Sequence, residues 1–353
     1  MSADVLVIGT GLIGASLGLA LHGRADVLLT DVDAAALATA VQRGAGRPWD
    51  GAERARIAVV CTPPAAVAAE VRRLQDRGVA RTCTHVSSVQ APVQAALEAA
   101  GCDPTAVCGS HPMAGRERAG PSAAVATLFA GRPWVLCPGP RTTEVALGDV
   151  EQLVTAAGGT PVRLPPGRHD AAVALVSHLP QVAASALAAQ LLRGSPDAAA
   201  LAGPGLQDST RIAASDPNLW REVLALNAAD VAPLVRGLAA ELVAFAAALE
   251  AGEDGPVVRL LHRGAQGRAL VPVKRGERDA AFTVVALSVP DTPGRLAGLF
   301  VAAGEANVNI EDVRVDHVPG SPRGVIELSV RETARDALVT ALRAGGWDVL
   351  GSG

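Results

Sequence analysis

The feature that most constrains this chain is an apolar strand that runs into a glycine-punctuated turn and then a helix. Val5 to Ile8 leads into Gly9-Thr10-Gly11-Leu12-Ile13-Gly14, followed by Ala15 to Leu21. In that setting each glycine has a physical task. The first permits a tight turn, the second lets backbone approach a pyrophosphate, and the third lets the helix pack on the strand, with the helix N-terminus toward the anion. A glycine motif alone says little. Here Asp31 closes the next apolar run 22 residues after Gly9, where a carboxylate can accept hydrogen bonds from a ribose diol. Val32 and Asp33 follow it, where an arginine would be needed to receive a ribose phosphate, so the pattern favours NAD over NADP.

Short β-branched runs then alternate with Ala/Leu-rich stretches as far as Leu164: VLVIG, DVLLTD, RIAVVC, THVSS, PWVLC and TPVRL. That alternation predicts a βαβ parallel sheet. From His169 to about Leu249 the strand signal disappears and long Ala/Leu helices are punctuated by GSPD, GPG and SDPN. Residues 252–278 carry charge and glycine around one short apolar run, VVRLL, and read as a connection. After Ala280 the order is strand, helix, strand, strand, helix, an α+β sandwich of ferredoxin-like type. The expected divisions are 1–165, 166–251, 252–280 and 281–353, and a chain of 353 residues has room for several cores.

The charge balance, 31 basic against 35 acidic residues with no basic run, gives no footprint for nucleic acid. Five cysteines without CxxC spacing suggest free thiols in a reducing, cytoplasmic compartment, and no histidine pair has zinc spacing, so no metal is expected. Asp4 stands where a signal peptide would be positive, so no secretion signal is read. The uncharged stretch Ala171 to Leu192 is long enough to cross a bilayer. Ser177, His178, Pro180, Gln181 and Gln190 interrupt it, however, and the expectation is a buried helix of a soluble domain, with no membrane partner.

The second constellation is Gly109-Ser110-His111-Pro112-Met113-Ala114-Gly115-Arg116-Glu117-Arg118, a histidine after an expected strand end. At the carboxyl edge of a parallel sheet a neutral imidazole can serve as an acid/base group. With this segment in view the chain resembles the prephenate/arogenate dehydrogenase family. The matching segments are VIGTGLIGASLGLAL, VCTPP, VSSV, GSHPMAGRERAG, LVSHLPQVAASAL and AGPGLQDSTRIAASDPNLW. The resemblance implies a Rossmann-like doubly wound parallel sheet, an all-helical dimerisation domain, and an active site between them. It adds Leu12, Ile13, Thr62 and Pro63 to the NAD contacts. His111 then matches the family's acceptor for the substrate's ring hydroxyl, and Ser88 its support beside the nicotinamide. Arg211 matches the ligand of a substrate carboxylate, although pairing with Asp208 is an alternative; Asp208 and Glu117 match gating carboxylates. Ser177 and Gln181, four apart, share a helix face and could touch substrate.

Two departures stand out. Gln181 occupies a position where many prephenate-using members have histidine, which leaves the choice of prephenate or arogenate open. His85 and Gln90 stand where aspartate and lysine are common. His22, His169, His178, His262 and His317 read as surface or packing residues. The segment Asp291-Thr292-Pro293-Gly294-Arg295-Leu296, with Asn307-Val308-Asn309-Ile310-Glu311, resembles an ACT domain, which implies an aromatic amino-acid effector near Gly294 and Asn309. Two competitors remain: a β-hydroxyacid dehydrogenase, which usually needs a catalytic lysine where this chain has only Lys274, and a non-catalytic NAD-binding sensor.

Overall fold

The computed structural model describes residues 3–116, 118–271, 281–317 and 322–352. They fall into two compact units, Met1–Ala244 and Phe245–Gly353.

The apolar runs at the start of the chain become β1 (Ala3–Ile8), β2 (Val27–Thr30) and, after a two-residue β3 (Arg47–Pro48), β4 (Ala55–Val60) and β5 (Ala80–His85). They pair in parallel in the order β3-β2-β1-β4-β5. Strands β1 and β4 alternate little because helices cover both faces, and Leu6, Val7, Ile57 and Val59 are all fully buried. The intervening helices are α1 (Leu12–Leu21), α2 (Ala34–Gln42) and α3 (Pro64–Asp76). Asp33 caps α2 by accepting from Ala35 and Ala36 amides, and Pro64 opens α3 at the first helical position.

After α4 (Ala91–Ala99) the chain meets β5 in parallel at one bridge, Cys83 to Val107, but the expected parallel order then breaks. Residues Cys108–Pro112 form β6, which runs antiparallel to β7 (Pro133–Pro138). Only β8 (Thr160–Arg163), reached through α5 (Glu144–Ala156), is parallel to β7. The cause is the loop between β6 and β7: its described residues contain no α-helix to carry the chain back to the starting edge. His111 consequently lies inside a strand rather than beyond its end.

The helical stretch comprises α6 (Pro166–Val173), α7 (Leu179–Gln190), α8 (Pro196–Ala200), α9 (Pro204–Thr210), α10 (Pro217–Leu226) and α11 (Ala228–Ala251). Between α6 and α7 a π turn, Ala174–His178, keeps the helix continuous. Pro180 has no N–H to offer. The ladder widens just ahead of it, where the Leu179 amide donates to the Ala174 carbonyl five residues back. The expected burial of this helix is met on one face only. Two helices, Pro166–Arg193 and Ala228–Ala251, are long and apolar enough to cross a membrane, and the apolar window of the first is only 28% buried.

Residues read as a connection instead contain α12 (Asp254–Ala269), with Asp254 in its first turn and Arg268 in its last, both favourable to the helix dipole. Beyond it come β9 (Phe282–Pro290), α13 (Arg295–Glu305), β10 (Ile310–His317), β11 (Arg323–Arg331), α14 (Arg335–Ala344) and a final strand absent from the sequence reading, β12 (Asp348–Ser352). The four strands form an antiparallel sheet, β10-β11-β9-β12, over a core of Val285, Leu287, Leu299, Leu328 and Leu338. Asn307, at φ 53°, makes the left-handed turn between α13 and β10.

Gly18 measures how closely α1 approaches its neighbours. A Cβ there would lie 2.0 Å from the Ala45 carbonyl oxygen and 2.9 Å from the Ala45 Cβ. Helix propensity alone would favour alanine by about 0.5–1 kcal/mol, but overpacking against backbone costs roughly 1–3 kcal/mol. Gly18→Ala is therefore expected to destabilise, lowering the urea midpoint at unchanged m-value. A raised midpoint would refute the close contact.

Candidate functional site

The glycine turn forms a cradle for an anion. Gly9 takes φ +94°, and a Cβ on it would lie 2.8 Å from the Cys61 carbonyl oxygen. A Cβ on Gly14 would sit 2.0 Å from the Gly9 oxygen, so both outer positions are closed to any side chain. Gly11 meets nothing within 4 Å, and as N-cap of α1 it supplies no side-chain hydrogen bond. Space and uncapped amides, including those of Leu12 and Ile13, therefore coincide at the helix N-terminus. Asp31 lies beside this turn, accepting from the Thr10 amide at 2.5 Å and the Thr10 hydroxyl at 2.8 Å. Thr62, followed by Pro63 at the N-cap of α3, has a buried hydroxyl without a protein partner. A pyrophosphate and ribose fit these donors and acceptors.

His111 Nδ1 lies 2.8 Å from His169 Nε2, and His169 Nδ1 lies 2.7 Å from Asp170 Oδ1. Both Asp170 oxygens also accept backbone amides at the start of α4, from Gln90 and Ala91, each at 2.8 Å. The Asp170 carbonyl accepts from Asn227 Nδ2, which also donates to His178 Nδ1 at 3.1 Å. His178 in turn meets the Trp220 ring edge-on. Burial, then the neighbouring His169, His178 and His85, push the His111 imidazole down to about 3, so it is neutral at working pH. His178 is lowered by burial as well. His169 and His178 were read as bland residues; both are buried parts of this network. The adjacent pair His169-Asp170 was the available signal, but nothing local shows that it meets a strand 58 residues away.

Ser88 lies in the loop between β5 and α4. Gln90 ties that loop to β6, its amide donating to the carbonyls of Ser87 at 2.7 Å and Ser110 at 3.0 Å. Burial lowers the His85 imidazole to about 4. The pair that departs from the family pattern is thus neutral and buried. It also dictates Gly109, where a Cβ would lie 2.4 Å from Gln90 Oε1 and 2.9 Å from His85 Nε2.

Of the remaining expected residues, Gln181 is buried on α7 and donates weakly to the Ser185 hydroxyl at 3.5 Å, while Ser177 sits in the π turn. Arg211 opens a short 3-10 turn, Arg211–Ala214, that packs against α7, and Asp208 precedes it on α9. Glu117 lies outside the described residues. Gly294, at φ +86°, and Asn309, whose amide donates to Glu311, belong to the second unit. The five cysteines are free, and burial raises the thiols of Cys61, Cys83 and Cys108 to about 12, far from reactive. Among the described residues no three potential ligands cluster for a metal ion.

Residues 17–162 match the family model described as prephenate dehydrogenase, nucleotide-binding domain, and residues 165–263 match its dimerization domain. The Streptomyces niveus protein named "Probable prephenate dehydrogenase NovF" is 35% identical over 97% of this chain and 98% of its own length. The fold is similar to the Aquifex aeolicus prephenate dehydrogenase solved with hydroxyphenyl propionate and NAD+. That match has a TM-score of 0.68 at 24% identity and covers 77% of this chain and 99% of the other. A Synechocystis arogenate dehydrogenase is similar at TM-score 0.63 and 25% identity, covering 75% and 98%.

Two imidazoles held neutral make stability depend on pH. His85 and His111 have folded-state values below the ordinary ~6.5, so the unfolded chain takes up protons first as pH falls. Their contribution is complete above about pH 6.5 and drains away toward pH 4, at up to ~1.4 kcal/mol per pH unit for each group. The melting temperature is expected to fall between pH 6.5 and 5, before most carboxylates titrate, and less steeply in His85→Gln. A flat profile across that window would contradict the neutral assignment.

Proposed function

This chain belongs to the prephenate dehydrogenase family, and from that premise we propose that it converts prephenate to 4-hydroxyphenylpyruvate by NAD-dependent oxidative decarboxylation. The observation that carries the reading is a neutral His111 in a buried polar network close to a loop that bears Ser88. The reaction removes a hydride from the hydroxyl-bearing ring carbon, so the hydroxyl must lose its proton as the carbonyl develops. A neutral imidazole is suited to take it. Loss of the ring carboxylate as carbon dioxide leaves an aromatic ring, which makes the overall step effectively irreversible. NAD, when bound, supplies the hydride acceptor.

The residues assigned to its binding are Gly9, Gly11, Leu12, Ile13, Gly14, Asp31, Thr62 and Pro63. Ser88 and His111 are the catalytic pair. Arg211 holds a substrate carboxylate, for which a planar guanidinium offers two parallel hydrogen bonds. Ser177 and Gln181 line the substrate, and Asp208 and Glu117 gate it.

Gln181 also supports a second reading, arogenate dehydrogenase. A buried neutral amide discriminates less by charge than a histidine, and arogenate differs from prephenate by an amino group in place of the side-chain keto oxygen.

The apolar faces left open on the long helices, with Leu187, Leu191, Leu192, Leu242 and Val243 exposed, together with the match to a dimerization domain, support a homodimer that covers them, and the proposed compartment is the cytoplasm. The β-α-β-β-α-β order after residue 281 is ferredoxin-like, which supports reading it as an ACT domain with an aromatic amino acid as its effector at Gly294 and Asn309. The corresponding divisions are a nucleotide domain at 1–165, a helical domain that starts at 166 and is followed by α12, and a regulatory domain at 281–353.

Initial rates with NAD and NADP against prephenate and arogenate, with and without tyrosine, test this directly. Turnover of either substrate with NAD is expected, and the faster one decides between the two readings. His111→Asn should lower kcat by about 10²–10⁴-fold while NAD still binds. No turnover of either substrate would replace the enzyme with an NAD-binding sensor.

A further inference from the structure

The hydrogen bonds around His111 do more than hold the ring in place, because their direction is determined by chemistry. Asp170 Oδ1 and Oδ2 each accept a backbone amide hydrogen, from Gln90 and Ala91, and a backbone N–H can only donate. Oxygens so engaged present lone pairs, so the hydrogen between Asp170 and His169, 2.7 Å apart, sits on His169 Nδ1. With that as its only ring hydrogen, His169 has its lone pair on Nε2, and the 2.8 Å contact to His111 then places the hydrogen on His111 Nδ1. The lone pair of His111 is left on Nε2.

We propose that His169 and Asp170 are positioning residues that lock His111 in the Nδ1-protonated tautomer, keeping Nε2 as the proton acceptor for the substrate hydroxyl. This rests on the reading of His111 as the base. The proton moves from the hydroxyl to Nε2, and the resulting imidazolium keeps its Nδ1 hydrogen directed at His169. Both residues suit that task, since His169 is fully buried and Asp170 is 3% exposed, out of contact with bulk water. Asn227 fixes the backbone of the pair by donating to the Asp170 carbonyl. Asp170 also takes its orientation from the first amides of α4, so the tautomer of the base is set by a helix terminus as well as by side chains.

The test uses the full chain labelled with ¹⁵N-histidine, with the His111 signals assigned by their loss in His111→Asn. Long-range ¹H–¹⁵N spectra without substrate are expected to show His111 protonated on Nδ1 and unprotonated on Nε2. His169→Phe removes the acceptor and should produce the mixed or opposite tautomer, with kcat down about 10²–10⁴-fold and NAD affinity within about twofold. His169→Gln, whose side-chain oxygen can accept from His111 Nδ1, should restore the tautomer and return kcat to within about tenfold of the parent. An Nε2-protonated or averaging His111 in the parent protein would overturn the proposal, as would His169→Phe with kcat within threefold of it. The spectra need no turnover, so a protein that lacks the proposed dehydrogenase activity yet shows the locked tautomer would refute the function and not the relay.

Discussion

The constraint on which most of the first unit turns is the Asp170 carboxylate. Helix α4 begins at Ala91 without a capping side chain of its own, because Gln90, at its N-cap, directs its amide elsewhere. Asp170 supplies the cap from about 80 residues further along the chain, with one oxygen on each of two orphan amides. Loss of a capping group generally costs about 0.5–2 kcal/mol. Here the same carboxylate also holds His169, and its backbone carbonyl holds Asn227. One buried residue therefore joins the strand-rich part, the first helix of the helical part and the end of α10. The orientation of His111 is a consequence of that junction.

The surrounding network is built from neutral groups. A charged pair at positions 85 and 90 would have to be desolvated, and desolvating two ions can cost more than their attraction returns. This chain substitutes an imidazole held neutral by burial and an amide that bridges two carbonyls. The exchange avoids burying ions but narrows the space around β6, which is why Gly109 admits no side chain. The buried hydroxyls of Thr62 and Ser87, by contrast, lack protein partners, and both lie on loops at the carboxyl ends of parallel strands. Unpaired polar groups at that edge are what a ligand-binding rim provides.

Much of this was legible beforehand because it is written in short stretches. The glycine turn, Asp31 and the alternation of strand and helix each depend on fewer than about thirty residues, and the structure places them as the pattern implies. The reading went astray where a local signal was ambiguous. The strand expected to end before His111 runs through it to Pro112, because pairing with β7 extends it. Three glycines concealed α12, whose charged ends and apolar Val257, Val258, Leu260 and Leu261 suffice for a helix. The apolar stretch around Ser177 is helical as its composition implies, but only 28% of its apolar window is buried, since composition does not say which face packs.

The sequence by itself determined the cofactor cradle and the order of sheet, helices and second sheet, because turn chemistry and periodicity act between near neighbours, and its resemblance to a known family singled out the histidine proposed to react. Only the tertiary structure decided what that histidine is bonded to. His111 meets His169 across 58 residues and Gln90 meets Asp170 across 80, and no local propensity encodes such distances. Side chains so far apart acquire donors, acceptors and a depressed proton affinity only when packing has expelled water from between them.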